Sequence, residues 1–412
     1  MSENEPIHYF TGLDIGTTAV RCVVGELAPG TANPQVIGFA EIENTGLRKG
    51  NVARVDEVAQ AIADAVTEVE RTSGRVIKAA TVNVNGSHVE GINSKGVIAI
   101  SSPDRQISAE DRQRVEEAAT IVQLPPNKDI IQVFAKNYGL DGQENIKDPL
   151  GMHGVRLEVD THILVASQPA LKSLQQALDK AELAAAHRTV SSLAAAEIVL
   201  DRKQKEFGAA VLDIGAATTN LVVIDDGEVE HVAVIPMGGS HITNDLASVL
   251  KTEIDIAEAV KVKYASLNTP NRHSVSLIEG GETHQFDSHL IRQIVEARVE
   301  EILEYVGREL KSIHRERKLP GGLTLVGGSA KLPGLVDFAK EVLQAPARLG
   351  RWQMVKSVIG SLDQQRAASA VGLMLLDMLL GPAEVHSYSE PQPGFLQGVG
   401  GQLNKLRRRF RH

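Results

Sequence analysis

Two short stretches of this chain place related residue types in one order. Leu13-Asp14-Ile15-Gly16-Thr17-Thr18-Ala19-Val20 returns far downstream as Leu212-Asp213-Ile214-Gly215-Ala216-Ala217-Thr218-Thr219. Each opens on an apolar run, turns at Asp-x-Gly and continues into a second strand-like run, which predicts a hairpin in each place. Glycine in such a turn lets backbone N–H groups approach an anion closely, and Thr17, Thr18, Thr218 and Thr219 add hydroxyl donors. Asp14 and Asp213 would repel a phosphate directly, so the pattern calls for a hard cation, Mg²⁺, held through water. The plainer reading is a pair of tight hairpins whose Asp and Thr side chains cap backbone groups.

Two more glycine turns carry similar chemistry. Val326-Gly327-Gly328-Ser329 follows an apolar strand-like run and precedes Leu332-Pro333-Gly334. Bare backbone there can lie against a planar base or ribose. Met237-Gly238-Gly239-Ser240 precedes a helix expected to begin near Thr243, an N-terminus that favours anions.

These loops need elements to hold them. Short β-branched runs alternate with helical stretches along the chain, which argues an α/β fold. The strand-like runs are Arg21–Gly25, Ala80–Val84, Ala209–Asp213, Asn220–Asp225 and Leu323–Val326. The helical ones include Asp56–Thr72, Ala109–Val122, Ala170–Ala186 and a long one from Ser288 to about Arg315, closed by Leu319-Pro320-Gly321-Gly322. A loop motif repeated with its flanking strands predicts a duplicated domain with a cleft between the halves.

Composition narrows the classes. The 412 residues are 42% hydrophobic and 23% charged, enough for two or three cores and unlike a disordered chain. There is no run of about 18 apolar residues to predict a transmembrane helix, and the acidic start MSENEPIHYF predicts no secretory signal. The lone Cys22 excludes an internal disulfide and fits a reducing cytoplasm. The net charge of −9 is divided unevenly. Residues 395–412 hold Lys405, Arg407, Arg408, Arg409 and Arg411 with no acid, a tail of +5 on a body of −14. So acidic a body predicts no nucleic-acid partner.

The tail has a second property. Phe395, Leu396, Val399, Leu403, Leu406 and Phe410 fall within an arc of about 100° on a helix, and the basic residues take the rest of its surface. That pattern predicts an amphipathic helix lying in an anionic membrane surface. Burying each apolar side chain contributes about 1.5 kcal/mol or more. Each cation adds about 1 kcal/mol near anionic lipid. Gly381 to Gly394, with three prolines, reads as a linker to it.

Taken in order, Asp14-x-Gly16-Thr17-Thr18, Asp213-x-Gly215-x-x-Thr218-Thr219, Val326-Gly327-Gly328-Ser329 and Ala370-Val371-Gly372 resemble the actin/Hsp70/sugar-kinase superfamily. They are similar to its two phosphate loops, its adenosine loop and its second connecting helix. Within it the chain resembles the FtsA family of bacterial cell-division actin homologues. The Gly46-Leu47-Arg48-Lys49-Gly50 loop, Asn145–Gly151, Gly154-Val155-Arg156 and the basic tail carry that likeness.

The resemblance implies an actin-like fold of two duplicated halves around a nucleotide cleft. The first half would span 1–84 and 161–200, with an inserted 1C-type subdomain at 85–160. The second would span 201–380, with a 2B part at about 245–318, then a linker at 381–394 and the membrane helix at 395–412. It also implies ATP and Mg²⁺ as cofactors, with Glu258 and Lys261 on a helix bordering the adenine. The partners it implies are the C-terminal peptide of FtsZ, met in 2B by Arg292 and Arg298, the chain itself in filaments, and other divisome proteins. The expected function is tethering FtsZ filaments to the inner face of the cytoplasmic membrane at the septum.

Two departures bear on hydrolysis. Ala216-Ala217 replace a glycine-rich second loop, and Ser191-Ser192 stand where hydrolytic relatives place a water-activating Glu. Serine is a poor general base, and Glu197 reads as structural, so ATP binding with at most slow hydrolysis is expected. The alternatives are a pilus-assembly ATPase like PilM, or a sugar or acid kinase of the same superfamily.

Overall fold

The computed structural model describes residues 7–381, apart from 122, 123, 125, 126, 280 and 361. Its body is two sheets of matching layout. In the first, strands Gln35–Glu43, Ala19–Leu27, His8–Ile15, Ala79–Asn83 and Ala184–Thr189 lie side by side, with Lys356–Ser357 added outside Gln35–Glu43. In the second the order is Glu228–Ile235, Thr219–Asp225, Ala209–Ile214, Gly322–Val326 and Ala347–Leu349. Both are antiparallel across their first three strands. Both turn parallel across the rest. The duplication read from the loops thus extends to strand order and direction. The strand Ala209–Ile214 is buried at every residue, as an apolar run covered on both faces must be.

Two apolar helices link the halves. Ala368–Leu380 packs on the strand His8–Ile15, and Ser191–Val199 packs on Ala209–Ile214. They cross where small residues permit it: a Cβ on Gly372 would stand 1.9 Å from the Ala194 carbonyl oxygen. Gly372 therefore lies directly against the backbone of Ala194 and Ala195.

In the second half, helix Ser288–Ser312 buries Ile291, Ile294, Val295, Val299, Ile302, Leu303, Val306 and Leu310 along one stripe. Asp287 caps its start by accepting from His289 N and Leu290 N. The helix ends earlier than expected, because His314 takes a left-handed conformation with φ 56°. Leu319-Pro320-Gly321-Gly322 instead leads into the strand Gly322–Val326.

A separate antiparallel sheet interrupts the first half, in the order Glu90–Ala99, Arg156–Ser167, Lys128–Leu140 and Gln143–Ile146. Helix Ala109–Thr120 covers it, opened by a capping box of Ser108 and Asp111. The strand Arg156–Ser167 pairs on both sides, with a register irregularity between Asp160 and Thr161 where it meets Lys128–Leu140.

Candidate functional site

Each hairpin is closed by its glycine. Gly16 N–H donates to the Ala19 carbonyl at 3.0 Å, and Gly215 N–H donates to the Thr218 carbonyl at 2.9 Å. That equivalence puts Asp14 and Asp213 one residue before the end of their strands, each facing the partner strand of its hairpin. Opposite Asp14 stands Arg21, and opposite Asp213 stands Asn220.

Both carboxylates are buried, at 6% and 7% exposure. Asn83 Nδ2 donates to Asp14 Oδ1, and Arg21 Nη1 lies 3.4 Å from Oδ2. Ser369 Oγ donates to Asp213 Oδ2 at 3.1 Å. Burial pushes the Asp14 carboxyl up to about 6; Arg21 opposes this and the charge of Asp213 reinforces it. Burial also raises Asp213, against the hydrogen bond from Ser369 and the charge of Arg21. The charge of Asp213 thus reaches Asp14 across the space between the halves.

Such a pair fits an outer-shell site for a hydrated divalent cation, because a cation between the halves would offset the cost of burying both carboxylates as anions. Among the described residues no group of three or more His, Cys, Asp and Glu could hold a metal unaided. Waters and phosphate oxygens would have to complete the shell.

The remaining glycines gather around the second loop. Gly327, with φ 89°, lies so close that a Cβ would stand 2.6 Å from Asp213 Oδ1. Ser329 Oγ donates to the Gly215 carbonyl at 3.1 Å. Gly328 faces open space, with nothing within 4 Å of a Cβ placed there. The helix expected near Thr243 begins at Gly239, with Gly238 as its N-cap. Its first amides are not left for an anion. Gly239 N–H donates to the Gly215 carbonyl at 2.9 Å and Ser240 N–H to that of Ala216 at 2.7 Å. Gly239 and Ser240 hold the loop in place, and Gly238, where a Cβ would stand 2.5 Å from the Gly215 carbonyl oxygen, lets it approach.

Glu258 and Lys261 join the same cluster. Lys261 Nζ donates to Glu258 at 2.6 Å, to Thr243 Oγ1 at 2.8 Å and to the Gly239 carbonyl at 3.2 Å. The threonines are placed unequally. Thr17 is half-buried and Thr18 exposed at the tip of the first turn, whereas Thr218 and Thr219 are buried. Thr219 Oγ1 donates to the Met237 carbonyl at 2.8 Å, so that hydroxyl secures the adjoining strand.

Sequence reasoning missed Arg21, Asn83 and Ser369. Arg21 was within reach of it, since a turn closed from Gly16 to Ala19 sets Asp14 opposite residue 21. Asn83 and Ser369 come from a distant strand and helix and left no local signal.

With this geometry in view, the chain was compared with known proteins. A family model described as cell division protein FtsA matches residues 210–372, and one for the SHS2 domain inserted in FtsA matches residues 86–165. The cell division protein FtsA of Bacillus subtilis is 35% identical over 379 residues, covering 91% of this chain and 84% of that protein. That of Neisseria meningitidis is 31% identical over 409 residues, covering 97% of each. The chain belongs to the FtsA family.

Solved structures agree on the fold of this FtsA-family chain. A PilM–PilN type IV pilus biogenesis complex matches with TM-score 0.63 at 20% identity, covering 89% of this chain and 97% of that one. MreB5 of Spiroplasma citri bound to ADP matches with TM-score 0.54 at 12% identity, covering 90% and 96%. The fold is actin-like, and at these identities the likeness to PilM does not favour a pilus role.

Other expected site residues of the FtsA-family chain are engaged internally. Arg298 is bidentate to Asp245, at 2.6 and 3.0 Å, and pairs with Glu301, which ties Ser288–Ser312 to Gly239–Leu250. Arg292 donates to the Leu267 carbonyl at 3.0 Å and pairs with Glu296 at 2.9 Å. Neither arginine is without a partner. Glu197 is buried against Lys205, whose Nζ donates to both carboxylate oxygens at 3.1 Å, which fits the structural role read from the sequence. The expected membrane residues, Phe395 to Arg411, and the linker from Pro382 lie outside the described residues. Among the described residues no helix is long and apolar enough to cross a membrane.

Proposed function

We propose that this FtsA-family cell division protein binds ATP with Mg²⁺ between its two hairpins, polymerises, and tethers FtsZ filaments to the inner face of the cytoplasmic membrane at the septum. The observation that carries the reading is the pair of buried aspartates at corresponding positions of duplicated, glycine-closed hairpins. Asp14 and Asp213 would hold Mg²⁺ through water, and Gly16, Thr17, Thr18, Gly215 and Thr218 would line the phosphates. Bound Mg²⁺ would supply charge neutralisation between the carboxylates and the phosphate oxygens. Gly327, Gly328 and Ser329 would support the nucleoside, with Glu258 and Lys261 at its edge. Gly238, Gly239 and Thr219 act indirectly, by fixing the second loop.

Slow turnover follows from what stands at the start of helix Ser191–Val199. Ser191 and Ser192 are buried there with no carboxylate in the helix's first turn, and the Glu197 carboxylate is held by Lys205. Neither a serine hydroxyl nor an ion-paired carboxylate is a good acceptor for a proton from water.

Residues 395–412 would supply the membrane contact, each weak alone and strengthened when a filament holds many together. Other divisome proteins would be recruited to the same assembly. The test is co-sedimentation of FtsZ with anionic liposomes. The full chain with ATP should carry FtsZ down, and deletion of 395–412 should leave both in the supernatant. Retained co-sedimentation after the deletion would sink the tethering role. FtsZ lacking its C-terminal peptide should fail to bind in pull-down, whereas a PilM-like protein or a kinase would bind neither form.

A further inference from the structure

The insert belongs to the first half by sequence, yet its sheet rests against the second half. The strand Glu228–Ile235 is the outermost of the five-stranded sheet and pairs along one side only, with Thr219–Asp225. Its other side meets the insert through His162, a residue 1% exposed on the strand Arg156–Ser167. His162 Nε2 accepts the Val232 N–H at 3.0 Å. Its Nδ1 lies 2.8 Å from Asn93 Oδ1, so the network assigns a neutral ring with its proton on Nδ1.

Burial, with His231 and Lys136 adding to it, holds the His162 pKa down to about 3. A second proton would set N–H against N–H at Val232. Gly91 makes the approach feasible, since a Cβ there would stand 2.5 Å from His162 Cε1 and 2.7 Å from the Val232 carbonyl oxygen. Two ion pairs flank the contact, Lys136 with Glu230 at 2.8 Å and Lys147 with Asp226 at 2.9 Å.

The same strand leads straight to the candidate site. Beyond Ile235 the chain reaches Met237, whose carbonyl accepts from Thr219 Oγ1, and then Gly239, whose amide donates to the Gly215 carbonyl. One continuous stretch of chain thus touches the insert at Glu230 and Val232 and, past the end of the strand, the second loop at Gly239.

We propose that His162 is a positioning residue that latches the second half's edge strand to the insert, so that the insert's placement follows the setting of the Gly215 loop. That this loop responds to nucleotide rests on the function proposed above; the latch does not.

Hydrogen–deuterium exchange on the full chain, with and without Mg-ATP, separates the two. Without nucleotide, exchange in residues 228–235 should be about tenfold faster in His162→Leu and in Gly91→Ala than in wild type, the loss of roughly one hydrogen bond. His162→Gln, whose Oε1 can accept the Val232 N–H, should stay near wild type. With Mg-ATP the wild type should gain protection both in 213–219 and in the insert strands 90–99 and 156–167. His162→Leu should gain it in 213–219 alone. Wild-type exchange at 228–235 in both disruptive variants overturns the latch. Insert protection by Mg-ATP that is undiminished in His162→Leu overturns the coupling. A wild type that gains no protection at 213–219 contradicts nucleotide binding and the coupling with it, while the nucleotide-free comparison still decides the latch.

Discussion

The two hairpins facing the cleft share a strand pairing, a turn closure and an aspartate, and differ in what stands opposite that aspartate. Asp14 has Arg21 across the hairpin and Asn83 beside it. Asp213 has Asn220 across and Ser369 beside it, with no cation of its own in either place. The first carboxylate is therefore partly neutralised by the protein, and the second depends on hydrogen bonds. The difference assigns unequal work: Arg21 is a structural need of the first hairpin, while Asp213 is the more available partner for a ligand cation.

The sharpest way to break this comparison is to remove the protein's own cation. Arg21→Leu strands Asp14 without its guanidinium, in a site where Arg21 is 11% exposed, and leaves Glu41 with Arg366 alone. It should cost about 3 kcal/mol of stability by urea unfolding, the order expected for one partner lost from a buried pair. Adding Asp14→Asn should recover part of that loss. Asn220→Ala, at the matching position, should cost only about 1 kcal/mol.

The pH dependence sharpens the same contrast. The folded-state pKa of Asp14 is raised to about 6 from the ordinary carboxylate value of 3.8, so the folded protein holds the proton longer than the unfolded chain. Its contribution to stability is therefore favourable at low pH and is lost as pH rises through about 4 to 6. Without Mg²⁺, Asp14→Asn should gain about 2 kcal/mol relative to wild type between pH 4 and pH 7, read from paired denaturation curves. Burial sets this shift, Arg21 opposes it, and the charges of Asp213 and Glu41 add to it; added Mg²⁺ should shrink it.

The smallest expected effect lies in the threonines. Thr219→Val removes the bond to the Met237 carbonyl and should cost about 1 kcal/mol. The matching residue of the first hairpin is Val20, already fully buried and apolar.

This mismatch also marks how far the sequence could be read. The repeat around Asp14 and Asp213 predicted two hairpins, and the matching strand orders followed because each hairpin begins the same sheet. The helix stripe from Ile291 to Leu310 was legible because its period is local. The threonines of the two turns do not correspond: aligned by their glycines, Thr17 and Thr18 match Ala216 and Ala217, while Thr218 and Thr219 match Ala19 and Val20. Residue type repeated, but register did not. The helix after Gly238 was read as an N-terminus that favours anions; in the structure its Gly239 and Ser240 amides dock on the carbonyls of another loop, a partner no local pattern reveals. Arg298 looked available on a charged helix, and only packing brought Asp245 to it. The contact of His162 with Val232 joins segments of different halves and left no trace in either.

The most direct test is calorimetric titration of ATP into the full chain and its Asp14→Asn and Asp213→Asn variants, with Mg²⁺ and with EDTA. Saturable binding should require Mg²⁺. Asp213→Asn should weaken it by at least about tenfold, the 1.4 kcal/mol expected of one charge-assisted contact, and Asp14→Asn by less. Binding that is absent in the wild type, or that neither EDTA nor Asp213→Asn weakens, would contradict a Mg-nucleotide cleft between the hairpins.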